Sequence, residues 1–164
     1  MTIAGNIIMF VASIIMVLIG LAKTKKQVIT WQSVQLALMG IASACLGSIP
    51  GAIANGMGFT RNLLSYNNKL TKTIQIILCI LAAVSTALFN NIGWIGILPL
   101  IATLSYTWCV TTKNLKFLKG VIAFTCVLWA IHDFSIQSYI GFIFNIFTII
   151  TCIIGILRKE EAPE

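Results

Sequence analysis

The eleven basic residues of this chain fall into four short patches separated by long apolar stretches. Lys23, Lys25 and Lys26 form the first, and Arg61, Lys69 and Lys72 the second. Lys113, Lys116 and Lys119 form the third, and Arg158 and Lys159 the last. A membrane crossing takes about 20 mostly apolar residues, and the stretches between patches are too long for one crossing each. Basic residues gather on the cytoplasmic side of a membrane, so their spacing limits the number of crossings and their direction.

With 59% hydrophobic and 9% charged residues, a soluble domain of 164 residues could not cover its apolar surface. The mean hydropathy of +0.99 agrees. The chain reads as an all-α integral membrane protein. The net charge of +7 does not point to nucleic acid, because the basic residues flank apolar helices and act as topology signals. Cys45, Cys79, Cys109, Cys126 and Cys152 are scattered without Cys-x-x-Cys spacing, so no disulfide framework or metal centre is expected. They read as small apolar residues. The N-terminus lacks a basic n-region and its apolar run is long for a signal peptide, so the first segment reads as a retained helix.

Polar breaks divide the chain into seven helices. They run from about Ile3 to Ala22, Val28 to Gly47, Pro50 to Tyr66, Thr71 to Phe89, Ile92 to Thr111, Leu118 to Phe134 and Tyr139 to Leu157. Pro50 suits a first helical turn, where its missing N–H is not needed. Asn90-Asn91 closes the fourth helix. The basic patches follow helices 1, 3, 5 and 7, and the turns after helices 2, 4 and 6 carry no Lys or Arg. This alternation puts the N-terminus outside and the C-terminus in the cytoplasm.

Shifted by 90 residues, the chain matches itself. Ala12 falls on Ala102, Lys23 on Lys113, Lys26 on Lys116, Leu38 on Leu128 and Ser48 on Ser138. Gly51, Ile53 and Asn55 fall on Gly141, Ile143 and Asn145. Isolated Ile and Leu matches are cheap in an apolar chain; the paired lysines and the Ser-x-x-Gly-x-Ile-x-Asn string are less so. The expected plan is two parallel three-helix repeats, 1–66 and 92–157. An inverting fourth helix within 67–91 joins them, and 158–164 is a cytoplasmic tail. Parallel repeats of this kind are a transporter architecture.

The 3+1+3 plan, with Asn near the middle of both third helices, resembles the SWEET and PQ-loop transporter superfamily. Nicotinamide riboside transporters share a similar plan. The chain lacks a Pro-Gln motif and, with Pro50 and Pro99, does not place one proline in each of four rocking helices. In sequence it looks closer to the YgjV-type bacterial inner-membrane protein family. The matching stretches are Gly47-Ser48, Asn55…Arg61-Asn62, Thr107-Trp108…Lys113 and Trp129…His132-Asp133-Phe134 before Ser138. That resemblance implies a multi-pass protein of the bacterial plasma (inner) membrane.

Several polar residues are candidates for a site. Asn55 and Asn145 would lie at equivalent depths, where an unpaired amide is costly, and could hold a polar substrate at the midplane. Interhelical hydrogen bonding is the plainer role. Asp133 is the one carboxylate before the tail, and His132 precedes it. The pair could relay protons or bind an ion, or sit in water at a helix end. Arg61 either snorkels to the interface or, with Asn62, forms an inner gate. Trp129 and its counterpart Met39, and Gln35 with its counterpart Thr125, could line the same cavity. Tyr106, Thr107 and Trp108 approach the inner interface, where aromatics gather. Small residues such as Gly40, Ala44 and Gly58 would let helices 2 and 3 approach closely.

No nucleophile–base spacing, P-loop or dinucleotide fingerprint occurs, so no enzyme activity, catalytic residue or cofactor is expected. The leading expectation is a small secondary transporter or facilitator of a polar small molecule, working by alternating access. The alternative is a non-transporting accessory or immunity protein that binds a partner through its helices. A cavity lined by both Asn residues favours the first; a dry core with both amides bonded to backbone favours the second. The partners expected are the lipid bilayer and an unidentified polar small molecule, with a homodimer left open.

Overall fold

A computed structural model describes residues 2–47, 49–90 and 92–158, and no strand occurs among them. Helix α1 spans Thr2–Ile19, α2 Lys25–Cys45, α3 Ile49–Tyr66, α4 Lys72–Phe89, α5 Ile97–Cys109, α6 Leu115–Ser135 and α7 Tyr139–Leu157. The expectations that rest on Ser48, Asn91, Lys159 and the tail 160–164 lie outside the described residues.

Local capping explains where the helices begin. Thr24 is extended, and its hydroxyl accepts from Gln27 N at 3.2 Å. The Gln27 side chain accepts in turn from Thr24 N, closing a capping box. α2 therefore starts at Lys25, three residues ahead of the Val28 expected. Asn114 caps α6 in the same position, its Oδ1 accepting from Phe117 N at 3.0 Å, and α6 starts at Leu115 rather than Leu118. Thr71 caps α4 by accepting from Ile74 N. The caps offset a local conflict. Lys25, Lys26, Lys72 and Lys116 sit in first turns, where the helix dipole disfavours positive charge.

The fifth helix differs from the Ile92–Thr111 expected. It opens as a 3-10 turn, Gly93–Gly96, and is α-helical only over Ile97–Cys109. Asn90 organises this start: its Nδ2 donates to Gly93 O at 2.8 Å and its Oδ1 accepts from Ile92 N. Gly93 holds φ +65, which glycine adopts without strain. Pro99 falls in the first turn of α5, where its missing N–H leaves no bond unmade.

The helices close into a ring. α1 packs on α2 and α2 on α3; α5 packs on α6 and α6 on α7; α7 returns to α1. α4 lies against α5 and, more lightly, α3. At the α1–α7 seam the backbones nearly touch. A Cβ on Gly20 would overlap Thr151 and the Cys152 backbone, and one on Gly155 would overlap Gly20 O. Gly40 faces Asn55 and Gly58 faces Leu36, so α2 and α3 also meet over glycines, whereas Gly47 and Gly56 meet nothing within 4 Å.

Element bounds recur at the 90-residue spacing. α2 and α6 start at Lys25 and Leu115 and end at Cys45 and Ser135; α3 and α7 start at Ile49 and Tyr139; α1 and α5 end at Ile19 and Cys109. The turns after α2 and α6 hold Gly47 and Gln137 at positive φ. Buried Val28 and Leu118 also stand 90 apart, as do Ala12 and Ala102.

The core cluster gathers Ile19, Val28, Leu70, Tyr106, Val110, Leu118 and Cys152. These flank the turns that carry Lys23, Lys69 and Lys113, so dense packing concentrates at the basic end of the bundle. Elsewhere the surface is apolar: Phe10, Ile80, Leu88, Phe124 and Phe147 are exposed as they would be to lipid. Among the described residues, four helices, α2, α4, α6 and α7, are long and apolar enough to cross a membrane. The stretches 3–19 and 93–109 are shorter apolar helices.

Candidate functional site

Arg61 is buried, with 6% of its surface exposed, and four helices supply its surroundings. Its Nε donates to Asn62 Oδ1 at 3.1 Å and its Nη1 to Thr107 Oγ1 on α5 at 3.3 Å. The guanidinium stacks over the Tyr106 ring, 4.4 Å from the centroid. Asn62 is fully buried and donates to Gln32 Oε1 on α2. Gln75 on α4 donates to Thr107 O at 3.0 Å. Tyr106 Oη has no hydrogen-bond partner but lies near the Gln32 amide. The expectation that Arg61 snorkels to the interface is therefore overturned. Side chains of α2, α4 and α5 enclose it before it reaches the helix end.

Helices α3, α4, α5 and α6 line a half-open cavity of about 220 Å³. Its walls come from spaced helical stripes: Ala54 and Met57 on α3; Ala82, Ser85, Thr86 and Phe89 on α4; Pro99, Leu100 and Thr103 on α5; Trp129 and His132 on α6. Residues three or four apart share a helix face. Arg61 continues the Ala54–Met57 stripe, Thr107 continues Leu100–Thr103, and Gln75 lies two turns below Ala82. The three stripes that line the cavity thus end in the cluster around Arg61. Thr107 Oγ1 also donates to Thr103 O at 2.7 Å, tying the cluster to the cavity floor.

The cavity's α6 wall carries a second polar cluster. His132 Nδ1 lies 3.1 Å from Asp133 Oδ1, and Asn145 Nδ2 donates to Asp133 Oδ2 at 3.0 Å. Trp129 meets His132 edge-on, with ring centroids 5.4 Å apart. His132 lines the cavity and Asp133 turns away toward α7, where a Cβ on Gly141 would come within 2.5 Å of its Oδ2.

Among known families, the model for Imp-YgjV, a bacterial inner membrane protein, matches residues 3–162. The chain belongs to the Imp-YgjV family. No curated protein and no solved structure matches it.

In this Imp-YgjV chain the residues singled out by sequence separate into groups. Trp129 and His132 line the cavity, with Asp133 behind them. Arg61 and Asn62 form the cluster beneath it. Asn55 and Asn145 do not line the cavity. Each donates to the carbonyl four residues back, Gly51 O at 2.8 Å and Gly141 O at 3.0 Å, a bond repeated at the 90-residue spacing. Gln35 and Thr125 are both buried, and Thr125 donates to Ile122 O. Met39 is half-buried on α2, outside the cavity.

Sequence reasoning passed over Gln32 and Gln75, whose amides count only once α2 and α4 are placed beside α3 and α5. It grouped Lys119 with the third basic patch, where only its burial was not foreseen. Lys119 is 3% exposed, and its Nζ donates to Gly155 O at 3.3 Å beside the α1–α7 seam. Its position on α6, just inside the helix start, was the available signal. No group of three His, Cys, Asp or Glu arranged to hold a metal occurs among the described residues.

Proposed function

We propose that this Imp-YgjV protein is a small secondary transporter or facilitator of a polar small molecule rather than an enzyme. The cargo occupies the α3–α6 cavity, and the Arg61–Thr107 contact closes the path to the cytoplasm. The observation that carries this reading is the convergence of three lining stripes, from α3, α4 and α5, on Arg61, Gln75 and Thr107. A small cavity with apolar walls and a few placed polar groups is the usual form of a ligand site. Ser85, Thr86, Thr103 and His132 supply those groups here.

The recurrence of element bounds, caps and Asn-to-Gly bonds at 90 residues supports two three-helix units, with α4 as the extra crossing that lets both share one orientation. In this reading all seven helices span the membrane, as in the SWEET-like plan. The N-terminus is outside and the C-terminus, after Arg158, is cytoplasmic. The cavity then faces outward and the dense core inward.

The bonding of Asn55 and Asn145 to backbone favours the second reading, a non-transporting accessory or immunity protein. Thermal-shift screening against sugars, nucleosides, vitamins and amino acids separates the two. A ligand bound only by the folded state raises stability by mass action. Transport requires a stabilising compound whose effect is lost in Trp129→Ala and His132→Ala. Stabilisation that survives both substitutions would place the ligand elsewhere and count against the cavity.

A further inference from the structure

Arg61 is a buried cation whose bonded partners, Asn62, Thr107 and the Tyr106 ring, are all neutral. Asp133 is the one carboxylate among the described residues. Its oxygens are taken by His132 and Asn145 in the other cluster. A buried charge without an opposite charge costs stability, and methionine or glutamine at this depth would avoid that cost. Arg61 continues the α3 stripe that lines the cavity, so the end of the cavity nearest it is positive, and burial strengthens its attraction for a negative group.

We propose that Arg61 is the anion-recognition group of this carrier and that the cargo is a small organic oxyanion. Its carboxylate or phosphate replaces Thr107 Oγ1 on Nη1 and bridges to Nη2, while Asn62 Oδ1 stays on Nε, and its apolar or aromatic body stays among Met57, Leu100 and Trp129. The inference rests on the transport reading and names its substrate class. Three features favour it. Arginine's planar fork matches carboxylate and phosphate geometry, and it stays charged when buried. The hydroxyl oxygen now on Nη1 is a weaker acceptor than an oxyanion, so exchange there is favourable. The cavity, about 220 Å³, lies below the roughly 300–1,000 Å³ typical of ligand pockets, and its apolar walls suit a body of about one ring. Exchange at Nη1 frees Thr107, so binding of the cargo releases the contact that bridges α3 and α5.

The test is thermal unfolding of the purified full chain in nanodiscs with benzoate, benzamide, phenyl phosphate and inorganic phosphate. Saturable stabilisation by benzoate or phenyl phosphate is expected, with benzamide at least tenfold weaker. Arg61→Gln should abolish that preference. Arg61→Lys should weaken the anion at least tenfold, because a point charge does not replace the fork. Trp129→Ala should weaken acid and amide alike. Benzamide binding as well as benzoate, or benzoate binding unchanged in Arg61→Gln, overturns the anion assignment and leaves the cavity reading standing. Equal responses to inorganic and phenyl phosphate overturn the organic body. No response to any of the four overturns the inference, and cavity access, measured without a ligand, then judges transport separately. Should Arg61→Gln fail to fold, Arg61→Lys and the benzoate–benzamide comparison decide by the same outcomes.

Discussion

Arg61 on α3 donates to Thr107 Oγ1 on α5, and the same pairing recurs 90 residues away between Thr151 and Val17. Thr151 stands 90 residues after Arg61, and Val17 stands 90 before Thr107. The two seams differ in how they close. At α1–α7, Gly20 and Gly155 bring backbone against backbone, and Thr151 Oγ1 reaches Val17 O at 2.8 Å. At α3–α5, a long charged side chain spans the gap and α4 covers it. In the transport reading, the first seam stays shut and the second exchanges partners.

Thr107→Val tests that difference. It removes an acceptor from a buried guanidinium, and a hydrogen bond to a charged group is worth about 1.5–3 kcal/mol. Thr151→Val removes a neutral hydroxyl bond, worth about 0.5–1.5 kcal/mol. Denaturation of both variants should rank Thr107→Val as the more damaging. The reverse ranking would remove the distinction between the seams.

The glycine seam leads to a second expectation. Gly155→Ala puts a methyl against Gly20 O and Lys119, and Gly20→Ala puts one against the Cys152 backbone. Overpacking of this kind costs about 1–3 kcal/mol. Gly120→Ala meets nothing within 4 Å and should be neutral, or stabilising by about 0.5–1 kcal/mol through helix preference. Thermal melts of the three variants check the contrast.

Asn145 and Asn55 share a backbone bond, but only Asn145 also holds Asp133. A double-mutant cycle of Asp133→Asn with Asn145→Ala should therefore give a coupling of about 0.6–1.7 kcal/mol, the range for hydrogen bonds between membrane helices. The equivalent cycle of Ser43→Ala with Asn55→Ala should give none. Coupling in both cycles would mean that the halves are alike in this bond.

These contrasts mark how far the sequence could be read. Helix positions were legible because polar breaks such as Asn67-Asn68-Lys69 interrupt the apolar runs. Their starts were less so: Thr24-Lys25-Lys26-Gln27 is a capping box, but its lysines read as loop. The fifth helix was read too long because Ile92 and Ile95 are apolar enough to continue a helix that Asn90 and Gly93 hold in a 3-10 turn. The 90-residue match found Asn55 and Asn145, but periodicity does not say which way an amide points: Asn55 turns to its own helix, and Asn145 divides between its own helix and Asp133 on α6. Arg61 was the harder case. Snorkelling and burial look alike in sequence, and the residues around Arg61 (Tyr106 and Thr107 on α5, with Gln32 on α2 and Gln75 on α4 behind them) come from three different helices.

Orientation is open to a direct check. A reporter that fluoresces only in the cytoplasm, fused after Arg158, should be bright. A phosphatase active only outside should work when inserted after Asn90. Signals exchanged between the two positions would invert the assigned topology and turn the cavity toward the cytoplasm.

Access to the cavity floor is the most direct measure of the transport reading. With the five native cysteines replaced, Thr103→Cys is probed by a membrane-impermeant maleimide added to one face of the membrane at a time. Labelling from the outer face alone is expected while Arg61 is present, and from both faces once Arg61→Ala removes the α3–α5 contact. Absence of labelling from either face in both proteins would mean that the cavity opens only to lipid, and would contradict a carrier built around it.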